Sequence, residues 1–205
     1  MATTPTQGLA GLQPKPILWK VSDADSEIWM LGSFHVLPRG TNWRTPQVDA
    51  ILSKVPVVYF ESTQGVDDPE KWLQYTGDRR VIDLSYKLKP ESWKQLIEFA
   101  GEYDIPVGDF FYMQPWYAGY VIGSVINRDM GMQRRFGVDD TIRREAKRSG
   151  KEIRGLESLE DQLRAISAAS EEEDIAELEE ILANTDKARA SSMGLSTGSP
   201  AMTMR

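Results

Sequence analysis

ILWKVSDADSEIWMLGSFHVLP, Ile17 to Pro38, decides the class of fold. Two apolar-rich runs, ILWKV and EIWML, flank the polar SDADS, the signature of a β-hairpin with Trp19 and Trp29 as large strand residues. The second run closes on Gly32, whose missing side chain permits a tight backbone path or a close ligand approach. Three positions later stands His35, the single histidine of the 205-residue chain.

Working outward, Thr45-Pro46 opens a helix by the cap-then-proline rule, and QVDAILSK continues it. VPVVYFE, Val55 to Glu61, is a short run rich in β-branched and aromatic residues and reads as a buried strand. Residues 36–54 are long enough for a crossover between parallel strands, which takes about a dozen residues or more. VIDLS, Val81 to Ser85, suggests another short strand. PESWKQLIEFAGEYD is a helix carrying Trp93, Leu96, Ile97 and Ala100 on one face. QPWYAGYVIGSVINRDMG is a second, opened by Pro115, in which Ala118, Gly119 and Gly123 permit close packing. GVDDTIRREAKRSGKEIRGLES reads as a helix, a stop at Gly150 and a strand ending near Leu156. From Ser158 to Leu182 an apolar stripe interrupted at SEEED predicts two helices, or one kinked helix, with an acidic outer face. The expected class is α/β, a mixed sheet with an N-terminal hairpin, flanked by helices. Residues 1–16 form a Pro/Thr/Gly/Gln leader expected to be disordered, 17–185 the folded domain, and 186–205 an unpacked tail.

Forty per cent hydrophobic residues and six tryptophans suit a packed globule. The net charge of −7 is local, because EEEDIAELEE, residues 171–180, contributes seven acids and no base. A neutral body with an acidic segment argues against nucleic acid as a partner, since phosphate binding needs clustered Lys and Arg. The densest basic stretch, Arg143 to Arg154, reads first as the solvated face of a helix end. With no cysteine, disulfide frameworks, thiolate zinc sites and cysteine nucleophiles are excluded. No apolar run approaches the roughly 20 residues of a membrane span. The N-terminus has neither the basic start nor the apolar core of a signal peptide. A soluble chain is expected; its compartment is left open, export included, and its oligomeric state is not legible.

Functional groups of open α/β sheets collect beyond the carboxyl ends of strands. His35 follows the strand Ile28–Leu31, and Glu61 follows Val57–Phe60; as parallel neighbours these strands would present both side chains at one edge. Imidazole and carboxylate are good ligands for a divalent metal, or else a base with its orienting acid. The plain alternative is a hydrogen-bonded structural histidine and a solvated acid. Asp83, Asp139 and Glu157 are further acids near element ends, with the alternatives of turn residue, helix N-cap and loop acid. Ser33 and Ser62 lie close to these motifs but in no nucleophile elbow, and no dinucleotide fingerprint, P-loop or His-Glu-x-x-His occurs.

LWKVSDADSEIWMLGSFHVLPRG resembles the opening of the TraB/PrgY/GumN family, relatives of the TIKI proteases. That family opens with a hairpin and a Gly-x-x-His motif followed by Val-Leu-Pro; here these are Gly32 to His35, then Val36-Leu37-Pro38. VVYFE is similar to the family's strand ending in glutamate, placing that residue on Glu61. QPWYA, FGVDDTIRREAKRSGKEI and GLESLEDQL resemble three further blocks in order, placing the family's Gly-x-Asp on Gly137-Val138-Asp139 and its Leu-Glu on Leu156-Glu157. The resemblance spans about Ile17 to Leu182. It implies an α/β fold with a metal site built from two Gly-x-x-His motifs and a glutamate, and hydrolysis by metal-dependent peptidases. His35 and Glu61 would ligate a divalent metal ion of unknown identity and carry the catalysis, with Gly32, Asp139 and Glu157 supporting the motifs. A peptide or small-molecule substrate follows as the expected partner. One departure stands out: there is no second histidine, hence no second Gly-x-x-His, so the expectation is an incomplete domain. Non-catalytic capture of a peptide or small ligand, or an inactive fragment, is the alternative function.

Overall fold

The computed structural model of the chain describes residues 14–62, 69–76 and 83–192. Strands β1 (Leu18–Ser22) and β2 (Glu27–Leu31) form the hairpin, pairing Leu18 with Leu31 and Ser22 with Glu27. Its turn is closed by Asp23, whose carboxylate accepts from the Ser26 amide at 2.8 Å and the Ser26 hydroxyl at 2.7 Å. Those bonds hold the Asp23 carboxyl down at about 2. The short strand β3 (Leu37–Pro38) follows the histidine, and then α1 (Pro46–Lys54) starts where Thr45 caps it, its side chain accepting from the Val48 amide at 3.3 Å. Strand β4 is Val57–Ser62.

Helices α2 (Pro69–Thr76), α3 (Leu84–Lys87), α4 (Pro90–Glu102) and α5 (Pro115–Asp129) come next. Then β5 (Met132–Gln133) leads through a 3-10 turn (Arg134–Phe136) into α6 (Val138–Arg148). Gly150, at φ +67°, reverses the chain into β6 (Glu152–Glu157). Two helices, α7 (Leu159–Ile166) and α8 (Glu171–Ser192), complete the described part. A reciprocal capping box between Ser158 and Asp161 starts α7.

The class is mixed α/β, as expected. The strands, however, form three two-stranded ladders among the described residues, β1–β2 and β3–β5 antiparallel and β4–β6 parallel. The hairpin strand β2 is therefore not the parallel neighbour of β4; that neighbour is β6. Residues 84–85 of the expected strand VIDLS are helical instead, because Asp83 caps α3 by accepting from the Ser85 amide at 2.7 Å, while Val81 and Ile82 lie outside the described residues. The last helix runs ten residues beyond Leu182, to Ser192. Residues 1–13 and 193–205 of the expected leader and tail also lie outside the description.

Two apolar clusters hold this arrangement. One is helical: Leu84, Leu96, Phe99, Phe110, Ala118, Ile122, Leu178 and Leu182 meet among α3, α4, α5 and α8. The other gathers Leu37, Trp43, Val48, Phe60, Val138 and Ile142, and so fastens β3, α1, β4 and α6 to one another. This second cluster holds Leu37, two residues after His35, and Val138, the residue before Asp139.

Candidate active site

His35 comes from the loop between β2 and β3, and its neighbours are set by α6. The first-turn amide of α6, Val138 N–H, donates to the Phe34 carbonyl at 2.9 Å, docking the loop on the helix N-terminus. One residue on, Asp139 turns its carboxylate to the imidazole: His35 Nδ1 and Asp139 Oδ2 are 2.8 Å apart. Asp139 is not the helix N-cap. Gly137 takes that position, which leaves the aspartate side chain free to serve the histidine.

Each partner shifts the other. The Asp139 hydrogen bond raises the His35 pKa above its ordinary 6.5, against partial burial and the opposing charge of Arg134; the charges of Asp139 and Glu61 add to the rise. Burial pushes the Asp139 carboxyl upward, but the His35 hydrogen bond and charge, with a bond from Ser33, outweigh it and leave the group below its usual 3.8. An ionised carboxylate only accepts, so Nδ1 carries a proton in either charge state, and in the neutral imidazole Nε2 keeps its lone pair. The imidazole side chain is 66% exposed, so that lone pair is accessible.

Glu61 reaches the same region by another route. Because α6 turns back through Ser149–Lys151 into β6, its first turn lies at the carboxyl end of the β4–β6 pair. Arg143, one helical turn after Asp139, fixes that end: its guanidinium stands 4.0 Å over the Phe60 ring and donates to the Ser62 carbonyl at 2.8 Å. Between these two gripped residues Glu61 alternates to the other face of the strand and is exposed. Its charge reaches His35, though no hydrogen bond joins them among the described residues. Glu157 ends β6 in register with Ser62 and is likewise exposed, placing it on the same edge.

Arg143 is the residue whose part was hidden in the sequence. The basic stretch 143–154 is not simply a solvated face: Arg143 holds β4, and Lys151 Nζ donates to the Val55 carbonyl at 2.7 Å. The available signal was spacing, since positions 139 and 143 share a side of one helix. The glycines also exchange importance. A Cβ on Gly32 would make only ordinary contacts, the nearest with the Ile17 oxygen at 3.6 Å, whereas one on Gly137 would strike the His35 carbonyl.

The family description of TraB/PrgY/gumN matches residues 17–197. The chain belongs to the TraB/PrgY/gumN family. No curated protein and no solved structure matches it.

Membership in the TraB/PrgY/gumN family raises the question of a divalent ion, and the donor set answers it in part. The carboxylate-bound Nδ1 and free Nε2 suit a metal ligand, because ligating histidines commonly donate their other ring N–H to a carboxylate. Among the described residues, however, no group of three or more His, Asp or Glu side chains is placed to hold an ion. Catalytic zinc normally takes three protein ligands. His35 and Glu61 alone do not make a resident site. Nor does an apolar cleft of about 320 Å³ between the hairpin and α1 help: it is bounded by Trp29, Ala50, Ile51 and Lys54, and His35 is not in its lining. No described helix is long and apolar enough to cross a membrane.

Proposed function

We propose that this chain carries one side of a hydrolytic, peptidase-like centre, contributed by His35 and Glu61. The carrying observation is the 2.8 Å bond between His35 and Asp139, which holds the proton of the neutral imidazole on Nδ1 and makes Nε2 its basic nitrogen, on an exposed side chain. Asp139 fixes the tautomer and the ring plane. Nε2 then has two uses, donation to a divalent ion or acceptance of a proton from water. Glu61 adds negative charge on the same edge and steadies a positive charge arriving at the imidazole. A bound divalent ion would supply acidity to its water; with two protein donors here, the remaining positions must be filled from elsewhere.

The test is a titration of the chain with Mn²⁺, reading the NMR signals of its single imidazole, beside an assay of peptide cleavage. Selective broadening of the His35 signals, weakened in Glu61→Gln, is the expected result. Unchanged His35 signals, together with cleavage that survives His35→Ala, would remove the reading.

The two-donor set also favours a second reading, capture of a peptide or small ligand without cleavage. Saturable binding of a peptide recovered intact after long incubation would select it.

A further inference from the structure

We propose that Gly137 is the positioning residue for His35: the absence of its side chain lets the His35 loop seat on α6 and reach Asp139. The backbone of Gly137 is not unusual. At φ −60° and ψ 158° it lies in a region open to every residue, so conformation does not demand glycine here. Space does. A Cβ built on Gly137 would stand 2.7 Å from the His35 carbonyl carbon and 2.9 Å from the Phe34 oxygen, closer still to the His35 oxygen. These are backbone atoms, which cannot swing aside as the end of a long side chain can.

The same crossing point carries the bond that aligns the pair. Val138 N–H reaches the Phe34 oxygen at 2.9 Å, and His35 and Asp139 are the residues immediately following on each segment. Pushing the segments apart at Gly137 lengthens both bonds together. The consequence is chemical as well as steric. Without Asp139 against Nδ1, the imidazole loses the partner that keeps its proton there, and Nε2 no longer holds a lone pair by default. A neighbouring glycine thus selects which ring nitrogen keeps its lone pair.

This inference deepens the proposed site and rests on its geometry, but its readout needs neither metal nor substrate. A failure of hydrolysis or of Mn²⁺ binding therefore leaves it standing, and a folded Gly137→Ala chain with an unmoved tautomer leaves them standing. The experiment uses the full chain labelled with ¹⁵N, held well above the titration range of the imidazole. Long-range proton–nitrogen correlations of the single histidine report its tautomer. The unaltered chain should show the Nδ1–H form. Gly137→Ala should convert the majority to the Nε2–H form of a free imidazole, with a cooperative melt retained. A folded Gly137→Ala chain that keeps the Nδ1–H pattern overturns the proposal. Should that variant not fold, the unaltered chain decides: the Val138 amide must be protected from solvent exchange, and exchange at the rate of an unstructured amide overturns the docking outright.

Discussion

At His35 the fold commits a lone imidazole to one carboxylate, and the two shifts give that pairing a pH signature. A histidine whose folded pKa is raised adds stability in full below its unfolded value of 6.5, and loses it as pH rises through the higher folded value. Asp139, lowered from 3.8, adds stability above that value and loses it as pH falls through its folded one. The pair is strongest between these limits. Asp139→Asn should therefore lower the melting temperature most between pH 4 and 6.5 and least above the His35 midpoint. The imidazole titration should shift back toward 6.5 in that variant; a midpoint unmoved by the substitution would show that the bond contributes nothing. The sequence made His35, Glu61, Asp139 and Glu157 legible as candidates, because lone polar groups at element ends attract attention. It did not reveal that His35 and Asp139 bond, since 104 residues separate them and no periodicity links a loop to a distant helix turn. Arg143 was concealed by company, one cation in a run of them.

Among the elements, the long helices and the hairpin were readable because each carries a full repeat of its pattern. Strands β3 and β5 have two residues apiece, too few to show alternation, and they form a ladder only because β5 is delivered there by α5. The pairing of β4 with β6 was equally hidden, as two short apolar strands name no partner. Helix α5 offers a clean test of packing. A Cβ at Gly119 would come within 3.1 Å of Ile181 Cδ1 on α8, whereas one at Gly123 meets nothing within 4 Å. Alanine is better than glycine inside a helix by about 1 kcal/mol. Gly123→Ala should accordingly gain up to about that amount in chemical denaturation. Gly119→Ala should gain little or lose stability, and pairing it with Ile181→Val, which deletes Cδ1, should recover the gain. Equal gains for the two single changes would mean that α5 and α8 are not so closely set.

Over the whole molecule, the two apolar clusters are well sealed, but the hairpin is not. Antiparallel register places Trp19 beside Met30 and Val21 beside Ile28 on one face, continued by Ile17. All five are between 47 and 62% exposed. On the β4–β6 pair, Tyr59 and Leu156 are exposed as well, on the face that carries Glu61. Isolated surface hydrophobics need no explanation, but five on one face make a contiguous patch of the kind that marks contact sites. The opposite face of the hairpin turns its Trp29 toward α1 across the cleft, and the ladder is paired from Leu18–Leu31 to Ser22–Glu27, so the patch is not a sign of an unformed strand pair. The chain should therefore melt cooperatively and yet bind a hydrophobic dye in its native state. Replacing Trp19 and Met30 together with lysine should cut the dye signal by more than half without broadening the melt, because neither side chain belongs to the buried clusters. A dye signal indifferent to the double change would put the exposed apolar surface elsewhere. No dye binding at all would mean that the hairpin face is covered in solution, and sedimentation of the unaltered chain would then show whether a second copy covers it.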